Sequence, residues 1–240
     1  MEKISSGSFD LNDWLSGGYE SDIVTMIVGG PGTGKTNLCT LAACSVANKG
    51  KKVIFVDTEG GFSVDRVRQI VGAGYSNVLE KILILSPTSF KDQIKAFEKL
   101  LKNVDQEQIG LIVIDSVAMH YRLELGDACS ASNEERISNV NREVANQMKI
   151  LSQIARDKKI PVLITNQVYS TFVAGDMLSG FERETNIVGG DLLQYWSKCI
   201  LELKKDGSRR KAILLKHRSL PVQEFNFIIK NEGIFRAGWF

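Results

Sequence analysis

The stretch Gly29-Gly30-Pro31-Gly32-Thr33-Gly34-Lys35-Thr36 combines a glycine-rich run with an ammonium and a hydroxyl. Its spacing is G-x-x-x-x-G-K-[ST], the pattern of a phosphate-binding P-loop. Glycines let backbone N–H groups approach a phosphate with no Cβ in the way. Lys35 would reach the β- and γ-phosphates, and the Thr36 hydroxyl would hold Mg²⁺, with Asn37 closing the nucleotide-binding stretch. Two further stretches supply carboxylates. Leu111-Ile112-Val113-Ile114 runs into Asp115-Ser116. That is the Walker B pattern, a buried strand delivering an aspartate to the Mg²⁺ shell. Val53-Ile54-Phe55-Val56 runs into Asp57-Thr58-Glu59-Gly60-Gly61. Carboxylates at the end of a central strand sit where open α/β sheets place ligands.

The elements needed to position these groups are legible. The apolar run 23–28 predicts a strand entering the glycine loop, and Leu38, Leu41, Ala42 and Val46 predict a helix leaving it. Its dipole would aim at the same phosphate. Leu11, Trp14 and Leu15 have helical spacing, stopped by Gly17-Gly18. Strands are expected at 53–57, 81–86, 111–115 and 161–167, and helices at 63–71 and 90–101. Residues 122–135 read as a loop, followed by a long helix with Ile137, Val140, Val144, Met148, Leu151 and Ile154 on one face. Residues 168–190 show no clear period and read as a functional or disordered loop. Strand-like runs at 199–203, 211–215, 224–229 and 234–236 predict an antiparallel meander.

Composition narrows the classes. The chain has 240 residues, enough to bury a core without staples. A net charge of +2 argues neither for nor against nucleic acid. Cys39, Cys44, Cys129 and Cys199 form no C-x-x-C, and two histidines offer no zinc spacing. Reduced thiols in a cytoplasmic protein are expected. The N-terminus has no apolar signal-peptide region, and no apolar run is long enough to span a membrane.

Taken together these residues resemble the RecA/RadA recombinase family, and the resemblance covers nearly the whole chain in order. Ser6-Gly7-Ser8 through Leu15-Ser16-Gly17-Gly18 is similar to the family's lead-in to its P-loop strand. Asp57-Thr58-Glu59-Gly60 resembles the strand carrying its catalytic glutamate, and Ile114-Asp115-Ser116-Val117 with His120-Tyr121-Arg122 its archaeal Walker B segment. Thr165-Asn166-Gln167-Val168 and Val188-Gly189-Gly190 resemble the flanks of its second DNA-binding loop. Lys216-His217-Arg218-Ser219-Leu220-Pro221 is similar to the archaeal RadB branch.

The resemblance implies an α/β fold: a RecA-like P-loop NTPase core with a mostly parallel central sheet, flanking helices and the C-terminal antiparallel meander. It implies ATP and Mg²⁺ as cofactors. Glu59 would polarise the attacking water, Gln167 would sense the γ-phosphate, and Asp115 would order Mg²⁺ through water. Glu59 as a salt-bridged surface group and Gln167 as a satisfied strand terminus are the plainer readings. In bacterial members two cations one residue apart reach across a subunit interface to the neighbour's ATP; Lys216 and Arg218 stand there, and alternation would put both on one strand face. They would serve equally as a solvated basic edge.

Tyr169, Phe172 and Phe181 could stack on unpaired bases or anchor their loop. Arg183 is the loop's one cation, against Asp176, Glu182 and Glu184. Phosphate neutralisation there would be weak. Lys204, Lys205, Arg209, Arg210 and Lys211 form a basic cluster around a turn that could track a phosphate backbone.

The archaeal recombinases carry an N-terminal helix-hairpin-helix domain and an F-x-x-A motif. Neither pattern is found, Phe9 being followed three residues on by Asn12, so a single ATPase domain over 1–240 is expected. Three functions fit: a recombination accessory protein that binds ATP and single-stranded DNA with weak ATPase activity, an active strand-exchange recombinase, or a KaiC-like ATPase acting on proteins. The first implies the recombinase RadA, a Holliday-junction resolvase, a D-family DNA polymerase and a second copy of the chain as candidate partners.

Overall fold

The computed structural model describes residues 2–104, 108–169, 186–207 and 209–238. The chain opens with β1 (Lys3–Ile4), α1 (Phe9–Trp14) and β2 (Tyr19–Glu20). The nucleotide-loop unit follows: β3 (Val24–Gly29), α2 (Lys35–Asn48), then β4 (Lys52–Asp57). Next come α3 (Val64–Val71), α4 (Tyr75–Leu79), β5 (Ile82–Leu85), α5 (Phe90–Val104) and β6 (Ile109–Asp115). After them lie α6 (Met119–Ser130), α7 (Glu134–Lys158), β7 (Val162–Tyr169), β8 (Asn186–Ile187) and α8 (Gly190–Trp196). The chain closes with β9 (Cys199–Asp206), β10 (Arg209–Lys216), β11 (Gln223–Lys230) and β12 (Gly233–Arg236).

The main sheet has the order β12-β11-β10-β9-β3-β7-β6-β4-β5, with β8 attached to β7. From β5 to β9 neighbours are parallel; from β9 to β12 they are antiparallel. Strands buried on both faces need apolar residues at every position, which is why they read as continuous runs. Alternation sorts those residues into two cores. Val53 and Phe55 face α1 to α4 and the meander, whereas Ile54 and Val56 face α5 to α8.

The expected elements form, with differences. Residues 122–135 are not a loop: α6 fills most of them. This helix has a short inward stripe, Tyr121, Leu125 and Ala128, interrupted by Gly126 and surrounded by polar residues, and specific polar contacts also hold it. Tyr121 donates to Asn141 Oδ1 at 2.8 Å, and Arg136 pairs with Glu124 at 2.7 Å. Helices α4 and α8 are also additions. The expected loop 168–190 falls mainly outside the described residues, but its flanks are ordered as β7, β8 and the start of α8. All four cysteines are free thiols; burial pushes Cys44 up to about 11 and Cys199 up to about 12. No described helix is long and apolar enough to cross a membrane.

The N-terminal segment packs on the meander. Ser8 caps α1, and its hydroxyl donates to Ile234 O at 2.6 Å. Trp14 stacks on Phe225 and Phe225 on Phe227, with centroids 5.5 and 5.8 Å apart. Phe225 is 1% exposed and central to this stack, so Phe225→Ala opens a cavity that neighbours cannot fill. A loss of about 3–5 kcal/mol is expected, measured by urea unfolding. A loss under about 1 kcal/mol would mean that the segment is not part of the cooperative fold.

Candidate functional site

Helix α2 begins without a cap. Gly34 stands at its N-cap in the left-handed region at φ 111°, no side chain bonds the first turn, and no acidic residue lies in that turn. The helix therefore turns free N–H groups and its positive end toward the glycine loop. The loop has little room for side chains. A Cβ on Gly29 would come within 2.5 Å of the Leu203 carbonyl oxygen, and one on Gly34 within 2.9 Å of Ile229 Cδ1. Thr33 braces the loop by donating to Gly30 O at 2.9 Å. Lys35 folds back into it, donating to Gly29 O and Gly30 O at 2.8 and 2.9 Å. Burial pushes the Lys35 pKa down, while the nearby Glu59 and Asp115 carboxylates pull it back up.

The two carboxylate strands end side by side, Asp57 in register with Asp115. Thr58 ties them: its N–H donates to Asp115 O at 2.7 Å, its hydroxyl donates to Ser116 O at 2.8 Å, and Ser116 N–H donates back to it at 2.9 Å. The Asp115–Ser116 peptide is cis. Asp57, whose individual role the sequence did not reveal, folds the following turn by accepting from Gly61 N–H and Phe62 N–H at 3.0 and 2.9 Å. Asp115 Oδ1 accepts from the Thr165 hydroxyl. Its Oδ2 is buried without an aligned donor, although the Thr36 hydroxyl is close enough to affect its acidity. Burial raises the Asp115 pKa, the Thr165 and Thr36 hydroxyls oppose this, and Asp57 and Glu59 push it further up.

A hydrated divalent cation fits this place. An orphaned carboxylate oxygen, the Thr36 hydroxyl and the small Gly61 converge there; a Cβ on Gly61 would sit 3.5 Å from Thr36 Oγ1 and 3.9 Å from Asp115 Oδ2. Among the described residues no cluster of three His, Cys, Asp or Glu could hold a metal. The cation would thus depend on phosphate oxygens, Thr36 and water. Asn37 Oδ1 is likewise buried without a partner just past the loop.

Glu59 and Gln167 meet. Gln167 Nε2 donates to Glu59 Oε1 at 2.9 Å. Gln167 also belongs to the β7–β8 junction, where Val188 N–H donates to its carbonyl at 3.2 Å and Asn166 Nδ2 donates to Val188 O at 2.6 Å. Behind the pair lies a cavity of about 230 Å³ lined by Met119, Arg122, Leu123 and Val188. Phe172, Phe181 and Arg183 lie outside the described residues, as does the side chain of Tyr169.

Lys216 and Arg218 do not share a strand face. β10 ends at Lys216 after a bulge, so Arg218 falls in the next turn. Lys216 Nζ donates to Gln194 O at 2.9 Å. Arg218 makes two hydrogen bonds to Asp22, at 2.9 and 2.6 Å, and its Nε lies 2.9 Å from Glu20 Oε2 as an ion pair. Asp22 precedes β3, whereas the P-loop follows it. At ~3.3 Å per residue this places Arg218 roughly 20 Å from the chain's own phosphate loop. On the other side of the site Arg209 is exposed, and Arg210, its neighbour on β10, is half-buried.

A Rad51 family model matches residues 1–237. The DNA repair and recombination protein RadB of Methanococcoides burtonii is 39% identical over 97% of each chain. Its namesake in Methanobrevibacter smithii is 37% identical over 97% of this chain and 95% of the relative. A crystal structure of the RadB recombinase superposes with a TM-score of 0.77 at 31% identity, covering 98% of this chain and 100% of the other.

His217 sets a pH limit on the turn that carries Arg218. Its Nδ1 accepts from Ser219 N–H and Leu220 N–H, each at 3.1 Å, which requires a neutral ring. Desolvation lowers its pKa, Lys3 and Arg218 add to this, and Glu20 opposes it. The native state thus binds fewer protons than the unfolded chain as pH falls below the ordinary histidine pKa of about 6.5, and stability declines there. Urea midpoints taken from about pH 7.5 to about 5.5 should fall, with a shallower fall in His217→Ala. An identical fall in that variant would assign the effect elsewhere.

Proposed function

The chain belongs to the Rad51 family, in its archaeal RadB branch, and from that premise we propose that it is an ATP- and Mg²⁺-dependent accessory protein of DNA repair and recombination. It binds single-stranded DNA, hydrolyses ATP slowly in the cytoplasm, and modulates a RadA-type recombinase and the processing of branched DNA. A junction resolvase and a D-family polymerase are further candidate partners in that assembly.

The observation that carries this reading is the 2.9 Å hydrogen bond from Gln167 to Glu59. In phosphoryl transfer the protein acts mainly by positioning charge and water. Bound at the P-loop, the nucleotide supplies the scissile phosphate, and Mg²⁺ would supply charge neutralisation, held by Thr36 and, through water, Asp115. The residues of the chain do the rest. Free N–H groups at the start of α2 and the Lys35 ammonium receive negative charge. Glu59 is held beside the loop by the turn that Asp57 folds, with a carboxylate oxygen available to orient water. While Gln167 donates to Glu59, that carboxylate has part of its accepting capacity occupied. Gln167 lies on β7, which with β8 brackets residues 170–185, so a DNA contact there would reach Glu59 through one side chain. Such coupling favours regulation by nucleotide state over rapid turnover.

Lys216 and Arg218 lie at the far end of the sheet from their own P-loop, so a nucleotide contact by either would be to a second copy. For Arg218 that contact would first break the pairs with Asp22 and Glu20.

Lys35→Ala should abolish MgATP binding measured by calorimetry, and retained affinity would remove the site assignment. Gln167→Ala should bind MgATP as the wild type does but lose any response of ATPase rate to single-stranded DNA. DNA binding titrated at two salt concentrations gives a slope that counts neutralised phosphates. Many-fold DNA stimulation of the wild type together with joint-molecule formation would replace the accessory role by strand exchange. Absence of DNA binding at low salt would favour an ATPase that acts on proteins.

A further inference from the structure

The β9–β10 hairpin carries five cations in a short span, and the fold divides them between two faces. The register pairs Lys205 with Arg210, Lys204 with Lys211, Leu203 with Ala212 and Leu201 with Leu214. Leu201, Leu203, Ala212 and Leu214 belong to the core that contains α2. Strand alternation therefore sends Lys205 and Arg210 to the α2 face and Lys204 and Lys211 to the other. Distances agree. A Cβ on Gly32 would lie 4.0 Å from Lys205 Nζ, and a Cβ on Gly34 would lie 4.0 Å from Arg210 Cδ. Both side chains border the glycine loop. They come from the strands beyond Leu203, the residue that pairs with Gly29 where β3 becomes the loop.

On the face away from α2 both lysines are met by carboxylates. Lys204 Nζ lies 3.5 Å from Glu202 Oε2, and Lys211 Nζ lies 2.8 Å from Glu224 Oε2. Lys205 makes no ion pair with a carboxylate among the described residues. Like charges directly opposite on neighbouring strands are destabilising. A cross-strand Lys–Arg pair beside the uncapped start of α2 concentrates positive potential where a polyanion would relieve it.

We infer that Lys205 and Arg210 are direct contacts of the phosphate chain of a nucleoside triphosphate bound to the same chain's P-loop, with Lys204 and Lys211 excluded from it. This rests on the P-loop reading above and extends it to residues outside the motif. It also separates the basic hairpin into a nucleotide side and a side free of that task, so the cluster is not one continuous surface for a DNA backbone.

The test is a calorimetric titration of MgATP into the wild type, Lys205→Ala, Arg210→Gln, Lys204→Ala, Lys211→Ala and Lys35→Ala, each checked for unchanged unfolding midpoint. The Lys205→Ala variant should bind MgATP about tenfold more weakly, the size of one charge-assisted hydrogen bond lost. Arg210→Gln should do the same, with wild-type affinity in Lys204→Ala and Lys211→Ala. Lys205 is exposed, so its variant keeps the test open if Arg210→Gln does not fold. Wild-type MgATP affinity in Lys205→Ala would overturn the inference, whether or not single-stranded DNA binding falls. Equal weakening in the Lys204 and Lys211 variants would overturn it too, because only diffuse charge would then be acting. Undiminished MgATP binding by Lys35→Ala is a separate failure, that of the P-loop reading itself.

Discussion

The structure depends on a helix that starts with nothing to cap it. Backbone N–H groups at a helix start need partners, and most helices take them from a serine, threonine or aspartate side chain. In this chain Ser8, Ser63 and Asn133 do so for α1, α3 and α7. Helices α4, α6 and α8 also lack a side-chain cap, but α2 is the uncapped helix whose first residues follow the glycine loop and whose start lies at the end of a central strand, β3. Its neighbours respect that opening. Leu203 and Ile229 from the meander close on Gly29 and Gly34 from one side, and the ends of β4, β6 and β7 supply polar groups from the other.

That two-sided arrangement assigns different work to the two halves of the sheet. On the parallel side, Thr58 fastens β4 to β6, so the backbone bearing Glu59 and the backbone bearing Asp115 behave as one body. Among the described residues, the carboxylates near Lys35 of the loop, Glu59 and Asp115, come from the parallel side. The antiparallel side closes the glycine loop with apolar and basic side chains and is itself held by the Trp14–Phe225–Phe227 stack. Gln167 is the group on the parallel side that also belongs to the segment leading out of the site.

Much of this was legible in the residue pattern because buried parallel strands and phosphate loops are local signals. Ile112-Val113-Ile114-Asp115 could hardly be anything but a core strand with a carboxylate at its tip, and it is. Helix α6 was not legible, since its apolar face is only the short stripe Tyr121, Leu125 and Ala128 among Gly126, Ser130 and other turn residues, and contacts such as Tyr121 with Asn141 arise only in the folded chain. The same holds for Asp57, whose backbone acceptor role depends on the turn after it. Spacing alone also put Lys216 and Arg218 on one strand face; the bulge before Lys216 and the attraction of Arg218 to Glu20 and Asp22 end the strand between them. The two faces of the basic hairpin became distinguishable once register was known.

Lys35 is turned inward rather than toward solvent. Its ammonium closes the loop on itself through the carbonyls of Gly29 and Gly30. Those carbonyls and that ammonium would otherwise be buried and unmet, and the resulting internal clasp braces the loop from within. An ammonium carries three donors, so with two of them on these carbonyls the third remains to face an anion while the loop keeps its form.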